Sequence, residues 1–373
     1  MWLWILTFIP LFADDITLRL DHYYASSSAM GRSSTAQPYD EYRILQNPSG
    51  LGHFLSYMKN PVIFSPVNIS LQSQRLLIAS KGNLGIVAKQ ITNSPIGDYQ
   101  YQSLSYFPFI AYHSKHRETN LLLGLPTVAH IDLYKKESGL EVHQVKNATF
   151  LMSWATMNSS GSASFGMNLR PQIQVESIDS TLSLNKVLLN GTVTSAVTAD
   201  VGVLFSALDY WIPTLGISLK NPPLQCVTYN NTLNKLCGAP HVLISGTPES
   251  LLSTLEPTEL RAGISITPRI HLSHSRLNFR ISGDVFPIPI KVGSNLYGIP
   301  MKHLDNLFHY GLEISSGNPR QPKPYTSLRI GSDENRLTFG LSLALGNSLS
   351  LEYSCLRPKI VSESVHTLTL TYL

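Results

Sequence analysis

The sequence predicts an all-β protein whose strands form a transmembrane antiparallel β-barrel. Three features predict it: long runs of alternating apolar and polar residues, few charged residues, and no apolar run of about 18 residues that could form a transmembrane helix. The clearest alternation lies in Arg336–Tyr353, where two strands flank a turn at Gly346-Asn347-Ser348. Because successive side chains of a strand point to opposite faces, this segment predicts a hairpin with one apolar face and one polar or small-residue face.

The composition fits a barrel wall better than a soluble domain of this length. The chain has 373 residues, of which 14% are charged and 43% are hydrophobic, whereas soluble proteins carry about 25% charged residues. In a barrel, each lipid-facing residue alternates with a lumen-facing polar one. The net charge of +4 is small, and no basic run suggests a nucleic-acid partner.

The N-terminus predicts a signal peptide over residues 1–13. An apolar run from Trp2 to Phe12 precedes Ala13 and two aspartates, and this run is too short to span a bilayer. A buried N-terminal strand is the alternative. Residues 14–60 lack sustained alternation, whereas residues 61–373 show it repeatedly, which predicts one barrel domain after an irregular segment.

Along residues 61–373, the alternation predicts a series of strands: Leu125–Leu133, Ala148–Trp154, Val197–Phe205, Trp211–Leu219, Leu260–Ile266, Leu277–Ile281, Phe308–Ile314 and His366–Tyr372. Residues 159–190 alternate less regularly and are interpreted as hairpins. Asn221–His241 and Pro287–Met301 are interpreted as loops, because prolines, asparagines and glycines accumulate there. Glu249–Glu256 is interpreted as a short helix or turn.

Charged residues lie in the middle of the predicted strands, at the alternate positions that carry polar or small residues, which we call the polar parity. They distinguish a barrel from a sandwich. On a soluble sandwich they would face water, but the same parity otherwise carries Gly, Ser, Thr and Asn with hardly a lysine, unlike most solvated sheets. The pattern favours the barrel and leaves a soluble secreted β-sandwich as the alternative. We expect a paired polar network in the lumen, formed by Asp200, Arg261, Arg280, Asp284, Glu313, Arg329 and Glu352.

The residues that could carry chemistry give no enzyme signature, so we expect no catalytic site, no metal and no cofactor. His113 and His116, like His271 and His274, are three residues apart, a spacing that places them on opposite faces of a strand. They are interpreted as turn residues. His366 lies on the apolar parity and suggests a lipid hydrolase with a site on the outer wall, but no serine is linked to it by sequence.

The three cysteines have different predicted roles. Cys226 and Cys237 lie in a polar segment and are candidates for a disulfide in an exported protein. Cys355 ends an apolar-parity row and is interpreted as a small packed residue.

Several segments resemble the FadL-like family of outer-membrane barrels, which includes PorV and the TraF-like conjugal-transfer proteins. Asn47-Pro48-Ser49-Gly50-Leu51 resembles the Asn-Pro-Ala-Gly-Leu signature near the mature N-terminus of that family. The later matches follow in chain order: Ala199-Asp200-Val201-Gly202, Trp211–Asn221, Leu260-Arg261-Ala262-Gly263, Ser282-Gly283-Asp284, Tyr310-Gly311-Leu312-Glu313 and Leu328-Arg329-Ile330-Gly331.

The resemblance implies a barrel of about fourteen strands in a bacterial outer membrane, with residues 14–60 as a hatch inside it. Asn47, Pro48, Ser49 and Gly50 would form the hatch motif. Ser49 replaces the usual alanine, and the chain ends in Leu373 instead of phenylalanine, so Tyr372 would supply the terminal aromatic residue.

Two functions are expected from this resemblance. One is transport of small hydrophobic molecules across the outer membrane, and the other is a non-transporting scaffold in a secretion or conjugal-transfer system. The expected partners are accordingly outer-membrane lipid, hydrophobic small molecules, and secretion or transfer proteins.

Overall fold

A computed structural model describes most of the chain. The described residues are 24–37, 44–56, 62–72, 99–114, 118–136, 139–179, 192–207, 211–230, 233–236, 259–268, 277–288, 290–292, 295–297, 307–316, 325–333, 336–345, 349–356 and 365–372. The predicted signal peptide, the predicted helix or turn at Glu249–Glu256, and His116, His271, His274 and Cys237 lie outside them.

Two short helices precede a long series of strands. The helices are α1 (Ala25–Ala29) and α2 (Gly50–Ser56). The strands are β1 (Val62–Gln72), β2 (Tyr99–Tyr106), β3 (Phe109–Ser114), β4 (Thr119–Gly124), β5 (Thr127–Lys136), β6 (Gly139–Thr149), β7 (Leu151–Met157), β8 (Ala163–Asp179), β9 (Thr192–Ser206), β10 (Thr214–Lys220), β11 (Pro223–Asn230), β12 (Leu233–Leu236), β13 (Glu259–Ile266), β14 (Leu277–Ile288), β15 (Ile290–Val292), β16 (Asn295–Tyr297), β17 (Phe308–Ser316), β18 (Thr326–Asp333), β19 (Arg336–Leu345), β20 (Leu349–Leu356) and β21 (Val365–Tyr372).

The sheet closes into a barrel. All its pairings are antiparallel, and β1 pairs with β21, with Ser65 opposite Tyr372 and Gln72 opposite Val365. The other side of β1 pairs with β2 and β3, so the first and last strands complete the ring. A closed ring leaves no free sheet edges. The alternative of a soluble β-sandwich is therefore wrong, because a sandwich needs two separate sheets facing each other.

Several passes through the wall consist of two strands separated by a short break. Pro108, Pro126 and Pro222 lie in the breaks after β2, β4 and β10, where the missing proline N–H interrupts the hydrogen-bond ladder. In the described residues, the nineteen strands of the main sheet make fourteen passes. Four passes consist of two strands with a break of one or two residues, and β12 and β13 share a fifth, because they pair with the consecutive strands β11 and β10. This agrees with the predicted barrel of about fourteen strands.

Burial in the wall is the reverse of that in a soluble protein. In β19, Leu337 is 70% exposed whereas Thr338 is 0% exposed, and the alternation continues along the strand with exposed Leu341 and buried Ser342. The exterior therefore carries leucine, isoleucine and aromatic side chains, and the interior carries polar ones. This is the pattern of a barrel whose outer surface faces lipid, as the alternation in the sequence predicts.

The interpretations of three longer segments were wrong. Residues 163–179 form one long strand, β8, instead of hairpins. The predicted loop at Asn221–His241 contains β11 and β12, since its prolines interrupt the strand only briefly. The predicted loop at Pro287–Met301 contains the end of β14 and the hairpin of β15 and β16.

Residues 24–37 and 44–56, which we call the inner segment, lie inside the barrel. Their side chains are buried almost throughout the part whose burial is described, from Tyr24 to Leu55. Helix α1 packs against β18 to β21, and α2 packs against β3, β4, β7 and β8. No helix of the described residues is long and apolar enough to cross a membrane.

Candidate functional site

The candidate site is the lumen where the inner segment meets the wall. Three neighbouring strands, β14, β17 and β18, place a small residue between two larger polar residues on the lumen parity. The strand register aligns these residues in three rows. We call them the ion-pair row (Arg280, Glu313 and Arg329), the seat row (Ser282, Gly311 and Gly331) and the acceptor row (Asp284, His309 and Asp333).

The ion-pair row is joined by direct contacts. Glu313 lies 2.7 Å from Arg329 Nε and 3.3 Å from Arg280 Nη1. Arg329 Nη2 also lies 3.9 Å from a carboxylate oxygen of Glu352. The side chains of this chain of charges are nearly buried, and a buried charge needs a partner because its desolvation is costly. Four of the seven predicted network residues thus contact one another, while their functional role stays a prediction.

The other predicted network residues lie elsewhere in the lumen. Asp200 Oδ1 lies 2.9 Å from Arg170 Nη2 and also accepts the backbone N–H of Asn221 at 2.9 Å. Arg261 lies 2.6 Å from Glu259 Oε2. Sequence reasoning missed Arg170 and Glu259. Arg170 lies in the segment interpreted as hairpins, and Glu259 is the first residue of its strand, where the alternation gives little information.

The seat row receives the backbone of a tight turn in the inner segment. Gly31 and Arg32 both have a left-handed backbone, with φ of 61° and 62°. A methyl group on Gly311 would lie 2.6 Å from the carbonyl oxygen of Met30 and 2.9 Å from its Cα. The Ser282 hydroxyl lies 2.8 Å from that of Ser33. Only small wall residues allow the turn to approach this closely.

The acceptor row binds the same turn through charge. Asp333 forms an ion pair with Arg32, and it lies 2.9 Å from His309 Nδ1 and 3.3 Å from Arg336 Nη2. This ion pair compensates for the left-handed conformation of Arg32, which costs a non-glycine residue about 1–2 kcal/mol. Phe286 stacks on the His309 ring at 3.8 Å between centroids.

Further hydrogen bonds hold the inner segment after this turn. Asp284 Oδ2 accepts the backbone N–H of Thr35 at 2.7 Å, and Ser265 Oγ donates to the carbonyl of Ala36 at 2.8 Å. Gln37 Nε2 donates to Ser282 Oγ at 2.7 Å. These contacts are directional and come from β13 and β14, so they fix both the position and the orientation of residues 33–37.

The predicted hatch motif connects the two parts of the inner segment to the wall. Asn47 Nδ2 donates to the Thr35 carbonyl at 2.8 Å and to the Val203 carbonyl at 3.2 Å. Its Oδ1 accepts from the backbone N–H and the hydroxyl of Ser49. Pro48 lies against Gly166 and Gly202, where a methyl group would overlap the motif. Gly50 begins α2. The gating role of the motif stays a prediction.

One side of the lumen is apolar. The cluster joins inner-segment and wall residues: Tyr24, Ile44, Leu45, Leu51, Phe54, Leu55, Phe107, Phe109, Ala111, Leu122, Val128, Leu151 and Ala155. The rings of Phe107 and Phe109 pack in a tilted arrangement, with their centroids 5.0 Å apart. Sequence reasoning missed this cluster, although the inward residues Phe109 and Leu122 break the polar parity of β3 and β4.

The buried helix α2 contributes one titratable group to this region. Burial lowers the pKa of His53 from 6.5 to about 4, because a low-dielectric environment disfavours the charged imidazole. His53 is therefore neutral at neutral pH, and α2 enters the apolar side of the lumen without a charge on this residue.

The cysteines and the remaining histidines singled out from the sequence lie at separate positions. Cys226 lies in β11, so the disulfide with Cys237 stays a prediction. Cys355 is buried and has a free thiol. His366 Nδ1 lies 2.7 Å from the hydroxyl of Tyr353 on the outer wall. His113 lies in β3 instead of a turn, 2.7 Å from Asn120 Oδ1.

Among the described residues, no group of three or more His, Cys, Asp or Glu side chains could hold a metal ion. The charged groups of the lumen are instead arranged in ion pairs and hydrogen bonds.

Comparisons with solved structures place this architecture among known barrels. The toluene transporter TbuX of Ralstonia pickettii is 11% identical, with a TM-score of 0.52, and the alignment covers 95% of this chain and 98% of that one. The toluene transporter TodX of Pseudomonas putida is 10% identical (TM-score 0.48), and a Pseudomonas aeruginosa FadL homologue is 12% identical (TM-score 0.49). These two alignments cover 95% of this chain and 98% and 99% of the others.

The sequence matches no protein-family model and no curated protein. The likeness to TbuX concerns the fold, and it agrees with the closed ring and the apolar exterior. The chain thus shares its β-barrel fold with TbuX. The finer expectation of a PorV or TraF-like branch stays a prediction.

Proposed function

We propose that this protein lies in a bacterial outer membrane and allows small hydrophobic molecules to cross it. The observation that carries the proposal is the apolar cluster inside an otherwise polar lumen. A barrel needs apolar residues on its lipid side, but it gains nothing for membrane insertion from Phe107, Phe109 and Leu122 pointing inward. An inward apolar surface beside a removable element is what a route for hydrophobic molecules requires.

The inner segment would control this route. Its two helices contact strands on different sides of the barrel, so we expect it to narrow the lumen. The fold likeness to TbuX, a toluene transporter, supports the same class of passenger. The transported molecule is small and hydrophobic in this proposal, because the cluster offers aliphatic and aromatic contacts.

Purified protein in lipid vesicles tests the proposal. Radiolabelled toluene and laurate should enter vesicles with the folded barrel faster than protein-free vesicles of the same lipid, while labelled sucrose should enter both equally slowly. Heat-modifiable migration on a gel would show that the barrel is folded. Equal entry of both hydrophobic probes with and without the folded barrel would refute transport.

A second candidate function is a scaffold for secretion or transfer proteins, and the close seating of the inner segment favours it. Residues Met30 and Gly31 touch the backbone of β17 and β18 so closely that passage there is blocked. A scaffold predicts no uptake of any probe, together with stable co-purification of a defined partner from native membranes. Uptake of toluene or laurate without such a partner would contradict it.

A further inference from the structure

Three polar side chains lie together on the outer wall, where β19, β20 and β21 run side by side. His366 Nδ1 lies 2.7 Å from the hydroxyl of Tyr353, and the two rings stack with their centroids 5.9 Å apart. The Tyr353 side chain also forms a hydrogen bond with Cys355. The register places Cys355 directly between Phe339 and His366. We call Tyr353, Cys355 and His366 the outer polar cluster.

The wall around the outer polar cluster is apolar. In the register, Tyr353 lies between Leu341 and Leu368, which are 51% and 42% exposed. These outward positions face lipid in a barrel that spans a membrane. Hydrocarbon offers no hydrogen-bond partner, and a polar group without a partner is costly there. The cluster therefore has to satisfy its hydrogen bonds within itself or with the polar part of a lipid.

The hydrogen bonds within the cluster leave one ring nitrogen of His366 over. The bond with Tyr353 uses Nδ1, and among the described residues Nε2 forms no hydrogen bond with the protein. A phenolic O–H is a stronger donor than a neutral imidazole N–H, so Tyr353 donates to Nδ1 and the ring hydrogen lies on Nε2. In a charged imidazolium both nitrogens carry hydrogen. In either state, Nε2 is a donor that needs an acceptor.

The outer polar cluster lies near one border of the apolar band. The connection from β18 to β19, Asp333–Arg336, has the sequence Asp-Glu-Asn-Arg, whose charges belong outside the hydrocarbon. Phe339 follows three residues after Arg336 and pairs with Cys355. With a rise of about 3.3 Å per residue and a strand tilt of about 35–45°, the cluster lies about 8 Å along the barrel axis from Arg336. The polar head of a lipid is within reach at this depth.

The geometry of His366 suits this depth. Its side chain is partly exposed, and a histidine can keep its ring among acyl chains while its polar tip reaches the head-group region. The acceptors in that region are the ester and phosphate oxygens of lipids. A hydrogen bond to an ionised acceptor is about twice as strong as one to a neutral acceptor, which favours phosphate. A hydrolytic site would instead need an exposed nucleophile, and the Cys355 thiol is buried.

We propose that the outer polar cluster binds the phosphate group of a membrane glycerophospholipid, with His366 Nε2–H donating to a phosphate oxygen. Tyr353 is a positioning residue, because its bond to Nδ1 sets the tautomer and the ring plane of His366. The inference goes beyond the proposed transport and uses only the proposed placement of the barrel in a membrane.

Lipid titration of the purified full-length protein in detergent, read by native mass spectrometry, tests the site. The probes are dioleoylphosphatidylglycerol and dioleoylglycerol, which lacks the phosphate. His366→Phe keeps an aromatic ring beside Tyr353 but removes both nitrogens. It should weaken the tightest phosphatidylglycerol binding by about three- to tenfold, as for the loss of one hydrogen bond, and leave dioleoylglycerol binding unchanged. Equal phosphatidylglycerol binding by both proteins, or an equal loss for both lipids, would overturn the proposal.

Two tyrosine variants provide the matched control. Tyr310 lies on the outer wall in β17 and is 53% exposed, so Tyr310→Phe removes a hydroxyl away from the cluster. Tyr353→Phe should weaken phosphatidylglycerol binding, whereas Tyr310→Phe should bind this lipid as the wild type does. Equal weakening by both variants would assign the effect to the wall in general and overturn the site.

Nitrogen NMR of histidine-labelled protein at pH 8 reads the positioning role directly. The wild type should carry the His366 ring hydrogen on Nε2, and Tyr353→Phe should show a mixture of both tautomers. A wild-type ring with its hydrogen on Nδ1 and a bare Nε2 would overturn the proposal.

Failure of this site and failure of transport are distinguishable. Toluene uptake into vesicles should be the same for the wild type and His366→Phe, because the cluster lies on the outer wall. Weaker phosphatidylglycerol binding with unchanged uptake supports the site. Absence of uptake in both proteins refutes transport, and the lipid titration then still decides the site.

Discussion

Replacement of Gly311 by alanine should loosen the inner segment, because the new methyl group has no room. It would lie 2.6 Å from the carbonyl oxygen and 2.9 Å from the Cα of Met30, both backbone atoms. Carbon atoms pack comfortably at about 3.5–4.0 Å, so the turn would have to retreat by roughly 0.6–1 Å. That retreat pulls Arg32 away from Asp333. We expect a loss of about 1–3 kcal/mol in unfolding free energy, as for other overpacked sites.

Gly283→Ala is the matched control for this substitution. Gly283 lies on the neighbouring strand, and a methyl group there would come no closer than 4.0 Å to the nearest atom, the His309 carbonyl oxygen. This variant should be as stable as the wild type or slightly more stable, since alanine reduces the entropy of the unfolded chain. The midpoint of heat-modifiable migration and the hydrogen exchange of residues 25–37 measure both variants. Equal midpoints and equal protection for Gly311→Ala and Gly283→Ala would refute the close seating of the turn.

Three other predictions follow from the lumen and the loops. Glu313→Gln or Arg329→Gln alone should lower the free energy of unfolding by about 3–5 kcal/mol, measured by denaturant unfolding. The double variant should lower it by less than the sum of the two single variants, and additive losses would show that the two residues do not interact. Because the pKa of His53 falls from 6.5 to about 4 on folding, stability should decrease by about 3 kcal/mol as the pH drops from about 6.5 to about 4, and His53→Asn should remove this dependence. Mass spectrometry of unreduced peptides should find Cys226 linked to Cys237, and free thiols at both positions would contradict the bridge.

The wall could be predicted from the sequence because it follows a local rule. Lipid outside and polar groups inside impose a period of two on every strand, and β19 shows it without exception from Leu337 to Leu343. The rule fails where prolines interrupt the wall. Pro222 and Pro223 suggested a loop, yet the chain resumes the sheet at Pro223 after a break of two residues, Asn221 and Pro222.

Pairing inside the lumen could be predicted only in part. Glu313 and Arg329 lie on adjacent strands of the sequence, so their contact follows from the hairpin register. Arg170 and Asp200 lie diagonally across the neighbouring strands β8 and β9, but the long β8 was not recognised, so its register was unknown. The position of Arg32 depends on a segment that pairs with no strand. No sequence period describes it, and only the three-dimensional packing brings it to Asp333.

The three rows of the lumen nevertheless leave a signal in the sequence. Each of β14, β17 and β18 places a small residue between two larger polar ones at spacings of two: Arg280, Ser282 and Asp284; His309, Gly311 and Glu313; Arg329, Gly331 and Asp333. A barrel filled only by its own side chains has no reason to align three small residues across neighbouring strands, because the aligned gap would leave a cavity.

The gap is instead the seat of the inner segment. The charges on one side satisfy one another, since Glu313 lies between Arg280 and Arg329. Those on the other side include two carboxylates that receive Thr35 N–H and the Arg32 guanidinium. Polar groups of the inner segment therefore pair with carboxylates of the wall along this side of the barrel. Moving the segment would leave Asp284 and Asp333 without these partners.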